Sequence, residues 1–304
     1  MKHYAIYLSV LLLFVAIACD KEENLVSSED DRVAVYLPDP AAKDEESVMR
    51  RKFFEDKKCF LLFNDTLSKK EGGINYNGEM RYVVETIDLL YHVGGGGASS
   101  NYYYRCGLFQ TIPEKRAAME FLEERVMDHL LPSLYPFSWL LTEELTYYDW
   151  GKPSTRMVVL AQNCIAIAFG DILTLAEKEK KAIENEVLAM ILSKATAKKE
   201  EEMQFFYAVS TEDMYEVYFE DYPNTEEENM QLLMNAGFIC KGTYRGEETK
   251  GKTPSKVEDC KAFIQLVLGS TDDEVEAKYG DEYPLVTEKY CLMKELLVTI
   301  GYIH

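Results

Sequence analysis

From residue 4 to residue 18 the chain is apolar almost without interruption, and from 20 to about 47 it is polar and acidic. Beyond that change, the spacing of apolar positions switches between the periods of helices and strands. A helix is expected over 45–57, then a short buried strand in Cys59-Phe60-Leu61-Leu62-Phe63, closed by the turn residues Asn64-Asp65. Residues 80–93 read as a second strand region, carrying Tyr82-Val83-Val84 and Leu89-Leu90-Tyr91, and run into Gly94-Gly95-Gly96-Gly97, a flexible loop. Pro113 opens a helix whose stripe is Ala117, Met119, Phe121, Leu122 and Val126, ending near Leu131-Pro132. Strands follow at 139–148, 157–161 and 164–169. Over 174–197 the period becomes helical, with Thr174 as cap and Glu177 placed to complete a capping box. The remainder reads as helices at 200–210, 226–236, 255–268, 272–278 and 283–300. Strands gather early and helices late, so the expected class is α+β.

The leading apolar run is shorter than the roughly 20 residues that span a hydrocarbon core. With Lys2 before it and Ala16-Ile17-Ala18-Cys19 after it, it reads as a signal peptide, residues 1–18. The junction resembles a lipobox, with Ala16 standing where Leu is usual. That resemblance implies cleavage before Cys19, acylation of its thiol and a membrane-anchored lipoprotein. Two acyl chains hold stably where one is marginal. Lys21-Glu22-Glu23 resembles the lysine–acidic signal with which some Gram-negative bacteria place lipoproteins in the outer membrane at the cell surface. Residues 19–47 lack the apolar content to order themselves and are expected to be a flexible acidic tether. The rest, 48–304, is expected to divide into a sheet-containing part, 48–197, and a helical part, 198–304.

Charge narrows the partners. The formal net charge of −20 repels nucleic acid and anionic head groups, so nucleic-acid binding is excluded. Apart from Cys19 the cysteines are Cys59, Cys106, Cys164, Cys240, Cys260 and Cys291, with no Cys-x-x-Cys pair and no zinc-finger spacing. Cys59, Cys164 and Cys291 lie in apolar runs, which favours buried free thiols. The four glycines lack the Gly-Lys-Ser/Thr ending of a phosphate loop, and no Gly-x-Ser-x-Gly elbow or Rossmann fingerprint occurs.

Several segments together resemble zincin-type metallopeptidases, and more narrowly the zinc-binding metallopeptidase lipoproteins found beside outer-membrane nutrient-uptake systems. They are Phe60-Leu61-Leu62-Phe63-Asn64-Asp65, the helix carrying Ile183-Glu184-Asn185-Glu186-Val187-Leu188-Ala189, Ala236-Gly237-Phe238-Ile239, Glu258-Asp259-Cys260-Lys261-Ala262, and 289–302. The resemblance covers most of the chain after the tether and implies a small mixed sheet, a long helix and a C-terminal helical lobe. In the active family that helix carries His-Glu-x-x-His, two imidazoles on one face holding zinc and a glutamate polarising its water. Here the positions are Asn185, Glu186 and Ala189, and the later carboxylate position is Ala262, so the catalytic set is degenerate. His92, His129 and His304 have no spacing that would rebuild it. The resemblance therefore implies no metal, no cofactor and a non-catalytic binding or accessory protein. Its partner is a peptide, a glycan or a transporter subunit. The rival expectation is an active hydrolase, either a zinc peptidase with other ligands or a glycosidase.

Aromatic residues offer candidate binding positions. Tyr102-Tyr103-Tyr104, and Trp150 after Tyr147-Tyr148-Asp149, fall where loops are expected, and rings beside carboxylates can stack on sugars. The competing expectation is that alternate rings point into the core, as the period of a strand requires.

Overall fold

The computed structural model describes residues 36–90, 101–219, 225–244 and 247–303. The signal peptide, Cys19 and most of the tether lie outside the described residues, as do His92, the glycine run 94–97 and His304.

Runs apolar at every position become strands covered on both faces, as parallel strands are. β1 (Phe60–Leu62) lies beside β5 (Ser138–Thr142), and β5 beside β9 (Cys164–Ala168), all parallel, with β8 (Val158–Leu160) antiparallel at the edge. Strand pleating then sorts the side chains. Trp139, Leu141, Ile165 and Ile167 enter the main core, while Leu140, Cys164 and Ala166 join a smaller cluster with Leu62, Leu67 and Leu145. The smaller cluster is capped by a second sheet of β4 (Tyr102–Gly107), β6 (Glu144–Asp149) and β7 (Lys152–Thr155), all antiparallel. The hairpin β2 (Thr66–Ile74) and β3 (Met80–Thr86) stands apart from both sheets. A two-strand ladder joins β10 (Thr243–Tyr244) to β11 (Glu247–Glu248).

Helices cover the other face of the main sheet. α1 (Glu45–Lys57) is capped by Asp44, whose carboxylate accepts from Ser47 N at 2.9 Å. α2 (Ile112–Arg125) starts with a Thr111–Glu114 capping box. α3 (Glu177–Thr196) is the long helix. α4 (Glu200–Ala208), α5 (Glu226–Asn235), α6 (Lys256–Gly269), α7 (Asp272–Lys278) and α8 (Pro284–Ile300) complete the set. One core cluster takes residues from Met49 through Leu192 and from Met203 through Tyr302, so the sheet-containing and helical parts share an interior. Among the described residues no helix is long and apolar enough to cross a membrane.

The mixture of helices and small sheets agrees with the expected class, and four local expectations need correction. The helix expected to run from Pro113 to near Leu131-Pro132 ends at Arg125, with short 3-10 turns following at Met127–His129 and Pro132–Leu134. The strand expected over 139–148 is two strands in two sheets, parted at Glu143. There the backbone turns from one sheet to the other, Glu143 N donating to Gly107 O and its carbonyl accepting from Gly170 N. Of the region expected over 80–93, the described part through Leu90 is strand only to Thr86, 91–93 lying outside the described residues, and its partner β2 was not expected. The cap of α3 is shifted: Thr174 is held in a turn by Asp171 O, and the helix starts after Ala176, whose N–H donates to Glu179.

The start of α6 is tied to β10 through one carboxylate. Glu258 accepts from Ser255 N at 2.7 Å, Ser255 Oγ at 2.8 Å, Thr243 N at 3.2 Å and the Thr243 hydroxyl. Burial pushes this carboxyl up, but the hydrogen bonds outweigh it and hold the carboxyl below its ordinary range. The stabilisation is therefore present above the ordinary carboxylate range and lost as pH falls through the lowered value. Glu258→Gln is expected to cost about 1–2 kcal/mol at pH 7. Urea midpoints of the two proteins should draw together in acid.

Candidate functional site

The helix turn that the resemblance aligns with a metal site lies against α6. Glu186 Oε1 is 3.6 Å from Lys261 Nζ, so its carboxylate is paired with a lysine from the segment holding Ala262. Asn185 is half buried toward the C-terminal end of α6. A Cβ on Gly269 would lie 3.9 Å from its Nδ2, and its Oδ1 is buried with no hydrogen-bond partner. Ala189 is wholly buried in the core, and Ala262 is half buried. These residues do not fit a zinc ion: one offers a methyl, one an amide between helices, and the carboxylate already has a counter-ion. No group of three or more His, Cys, Asp or Glu that could hold a metal occurs among the described residues. His129 sits elsewhere, with Nδ1 3.0 Å from Ile303 O.

A cleft of about 450 Å³ opens at the C-terminal ends of β5 and β9, beside the first turns of α3. Its lining includes Glu143, Glu144, Arg156, Phe169, Glu179 and Ile183. The carboxyl ends of parallel strands are where open sheets commonly place ligands. The cleft stops short of Asn185 and Glu186, which are not among its lining residues.

Tyr102, Tyr103 and Tyr104 stand on β4, not in a loop. Their strand is paired to β6, which sets Tyr103 on Tyr148 (centroids 4.7 Å, 7° between planes) and Tyr104 against Tyr147 (5.1 Å). Tyr104 packs on the smaller core cluster, as the alternation argument expects. Arg105 lies over the Tyr148 ring and Arg156 over Tyr147. Trp150 and Gly151 both have positive φ, 48° and 78°, the backbone of a two-residue hairpin turn that matches strand twist. That turn holds Trp150 across Tyr102, its Nε1 donating to the phenol oxygen at 2.6 Å. The two rings meet edge to face and remain exposed, 67% for Trp150 and 39% for Tyr102. They form a polar-tipped aromatic edge on the small sheet.

The most unusual chemistry lies in the helical part. Lys289 on α8 is fully buried, its Nζ bonded to Asp259 Oδ2 on α6 at 2.5 Å and to Ser210 Oγ at 3.1 Å. The Tyr215 hydroxyl donates to the same Asp259 oxygen at 2.7 Å. Phe206, Phe238 and Phe263 surround the ammonium at 4.5, 4.8 and 4.9 Å from their centroids, an aromatic cage occupied by the chain's own lysine. Burial pushes the Asp259 carboxyl up and the Lys289 ammonium down, each opposed by the attraction of the other. Burial likewise pushes the nearby Cys240 thiol up to about 12 and Cys260 up to about 11, which leaves both as protonated, weakly reactive thiols. The cluster is closed to water, so its work is to join α6 to α8. Its signal was present in the sequence: Asp259 and Lys289 each interrupt an otherwise apolar helical stripe with opposite charge.

The described cysteines are all free. Cys59 and Cys164 are buried as expected, whereas Cys291 is exposed because it lies on the outward side of α8. No protein-family model, curated protein or solved structure matches this chain.

Proposed function

We propose that the chain is an outer-membrane lipoprotein, lipid-anchored through Cys19 and exposed at the cell surface. In this reading its metallopeptidase-like, zincin-derived domain has lost catalysis and works by binding, as an accessory of a nutrient-uptake system. The observation that carries the proposal is the seam between α3 and α6. The two segments that would bear the family's catalytic groups do meet in space, but through a Glu186–Lys261 ion pair flanked by an amide and a buried methyl. A carboxylate neutralised by lysine is a poor base for activating water, and function lives in such sites rather than in folds. The binding surface is the Tyr102–Trp150 edge, whose rings can stack on a sugar or a peptide side chain while the phenol and indole tips hydrogen-bond.

Metal content of the full chain, purified without chelator, tests the loss of catalysis. No stoichiometric zinc is expected and no cleavage of peptide libraries. Bound zinc at one per chain, or a peptidase activity abolished by Glu186→Gln, would overturn the proposal. Binding is read from tryptophan emission, because Trp139 is fully buried and only Trp150 faces solvent. Titration with oligosaccharides and peptides should shift that emission saturably for one class, and Tyr102→Ala should weaken the effect about tenfold, the scale of an aromatic contact.

A further inference from the structure

We infer that the β2–β3 hairpin is an arm through which two copies of this chain pair, strand β3 against strand β3 about a two-fold axis at Val83. The inference does not rest on the function proposed above.

An isolated two-stranded hairpin is marginal in water, and a bare strand edge is a template for another strand. This hairpin is isolated. Every residue of β3 is exposed from Met80 to Thr86, and among the described residues no strand other than β2 pairs with it. β2 is covered only at its base, by the burial of Leu67 and Ser68. The arm is also two-faced. Ile74, Met80, Tyr82 and Val84 share one face at 71%, 41%, 48% and 48% exposure, with Lys69 Nζ 4.3 Å over the Tyr82 ring. Arg81, Val83 and Glu85 share the other, where Ser68 Oγ donates to Glu85 at 3.3 Å.

The sequence of β3 selects the occupant. In an antiparallel pairing centred on Val83, Arg81 of each copy faces Glu85 of the other, and Tyr82 faces Val84. Opposite charges and aromatic–β-branched pairs are the favourable cross-strand combinations. The same operation on β2, centred on Lys70, would set lysine against lysine, which is unfavourable. A two-fold pairing is self-complementary and closes, so it stops at a dimer. It also merges the two hairpins into a four-stranded sheet in which Met80, Tyr82 and Val84 of both copies share one face. A seven-residue strand pair is small for an interface, so exchange between monomer and dimer is expected to be rapid.

Cysteine crosslinking of the full chain is suited to a contact of this strength. A residue on the axis faces itself at a Cα separation of about 4.5–5.5 Å, within reach of a disulfide. Val83→Cys should therefore form a dimer band well above the background given by the exposed Cys291 in the unmodified chain, and Tyr76→Cys at the arm tip should not. Adding Arg81→Glu or Glu85→Arg should reduce that band about tenfold, and the combined swap should restore it. Mixing the two single charge variants should give the heterodimer in preference to either homodimer. Restoration by the swap separates lost pairing from a misfolded arm. A Val83→Cys band no stronger than background, a stronger band from Val84→Cys, or a band indifferent to the charge changes would overturn the inference.

Discussion

Lys289→Met is expected to destabilise the folded chain by about 3–5 kcal/mol, because it strips a buried carboxylate of its counter-ion. The methionine fills much of the volume and can sit among Phe206, Phe238 and Phe263, so packing loss is the smaller part of the effect. What remains is Asp259, fully buried, with Oδ1 already lacking a hydrogen-bond partner and only the Tyr215 hydroxyl on Oδ2. In a melt this corresponds to a fall of roughly 6–20 °C in Tm for a domain of this size. The pH dependence follows in sign. Without the ammonium, burial holds the Asp259 carboxyl further above its ordinary range. A carboxyl raised in the folded state contributes stability that is present in acid and lost as pH climbs through the raised value. The penalty of Lys289→Met should thus be largest near neutrality and shrink in acid, where Asp259 takes up a proton. Replacing both partners, as Lys289→Met with Asp259→Leu, should recover most of the loss, since a buried pair exchanged for apolar groups is often neutral. Equal melting of the single and double variants would show that the pair does not act as a unit.

Cys19→Ala is expected to move the entire chain from the membrane fraction to the soluble fraction and to abolish incorporation of labelled palmitate. Each buried methylene contributes roughly 0.8 kcal/mol of membrane affinity, so acyl chains on one residue can outweigh everything else in the molecule. The body offers no substitute. The whole chain's charge of −20 opposes anionic head groups, and no helix of the described residues is long and apolar enough to span. Folding should be untouched, because the described core reaches Tyr36, whose ring packs edge-on against Phe60 and Phe137 at 5.4 Å from each. Unchanged labelling and unchanged fractionation of the variant would refute lipidation at this position.

Helix positions were the most legible part of the sequence, because helical periodicity and caps are both local. The apolar periodicity placed α1, α6 and α7, and the structure shows Asp44, Ser255 and Thr271 each accepting a hydrogen bond from the backbone three residues on at their starts. Where two caps compete, local chemistry misleads: Asp171 draws Thr174 into its own turn, and the helix waits for Ala176. Strand ends were less legible, because sheet membership is decided by partners distant in sequence. Nothing local distinguishes Glu143, where the chain changes sheets, from its neighbour Glu144. β2 was missed for the opposite reason: Lys69-Lys70-Glu71-Gly72-Gly73 has no alternation, since neither face of that strand is buried beyond Ser68. The resemblance pointed to Asn185, Glu186 and Ala189 as the candidate positions, but the lysine that faces Glu186 depends on how α6 crosses α3. The sequence also placed Tyr102–Tyr104 and Trp150 apart from each other, and only the pairing of β4 with β6 brings them together.

The last residues of the chain return to its first half. Leu131 N donates to Gly301 O, Ile303 N donates to His129 O, and Leu130 bridges Tyr302. Gly301 makes the reversal with φ 116°, a conformation open to glycine and costly to other residues. Deleting 302–304 should therefore remove the Ile303–His129 hydrogen bond and the Leu130–Tyr302 bridge, and loosen the 127–134 segment on that side.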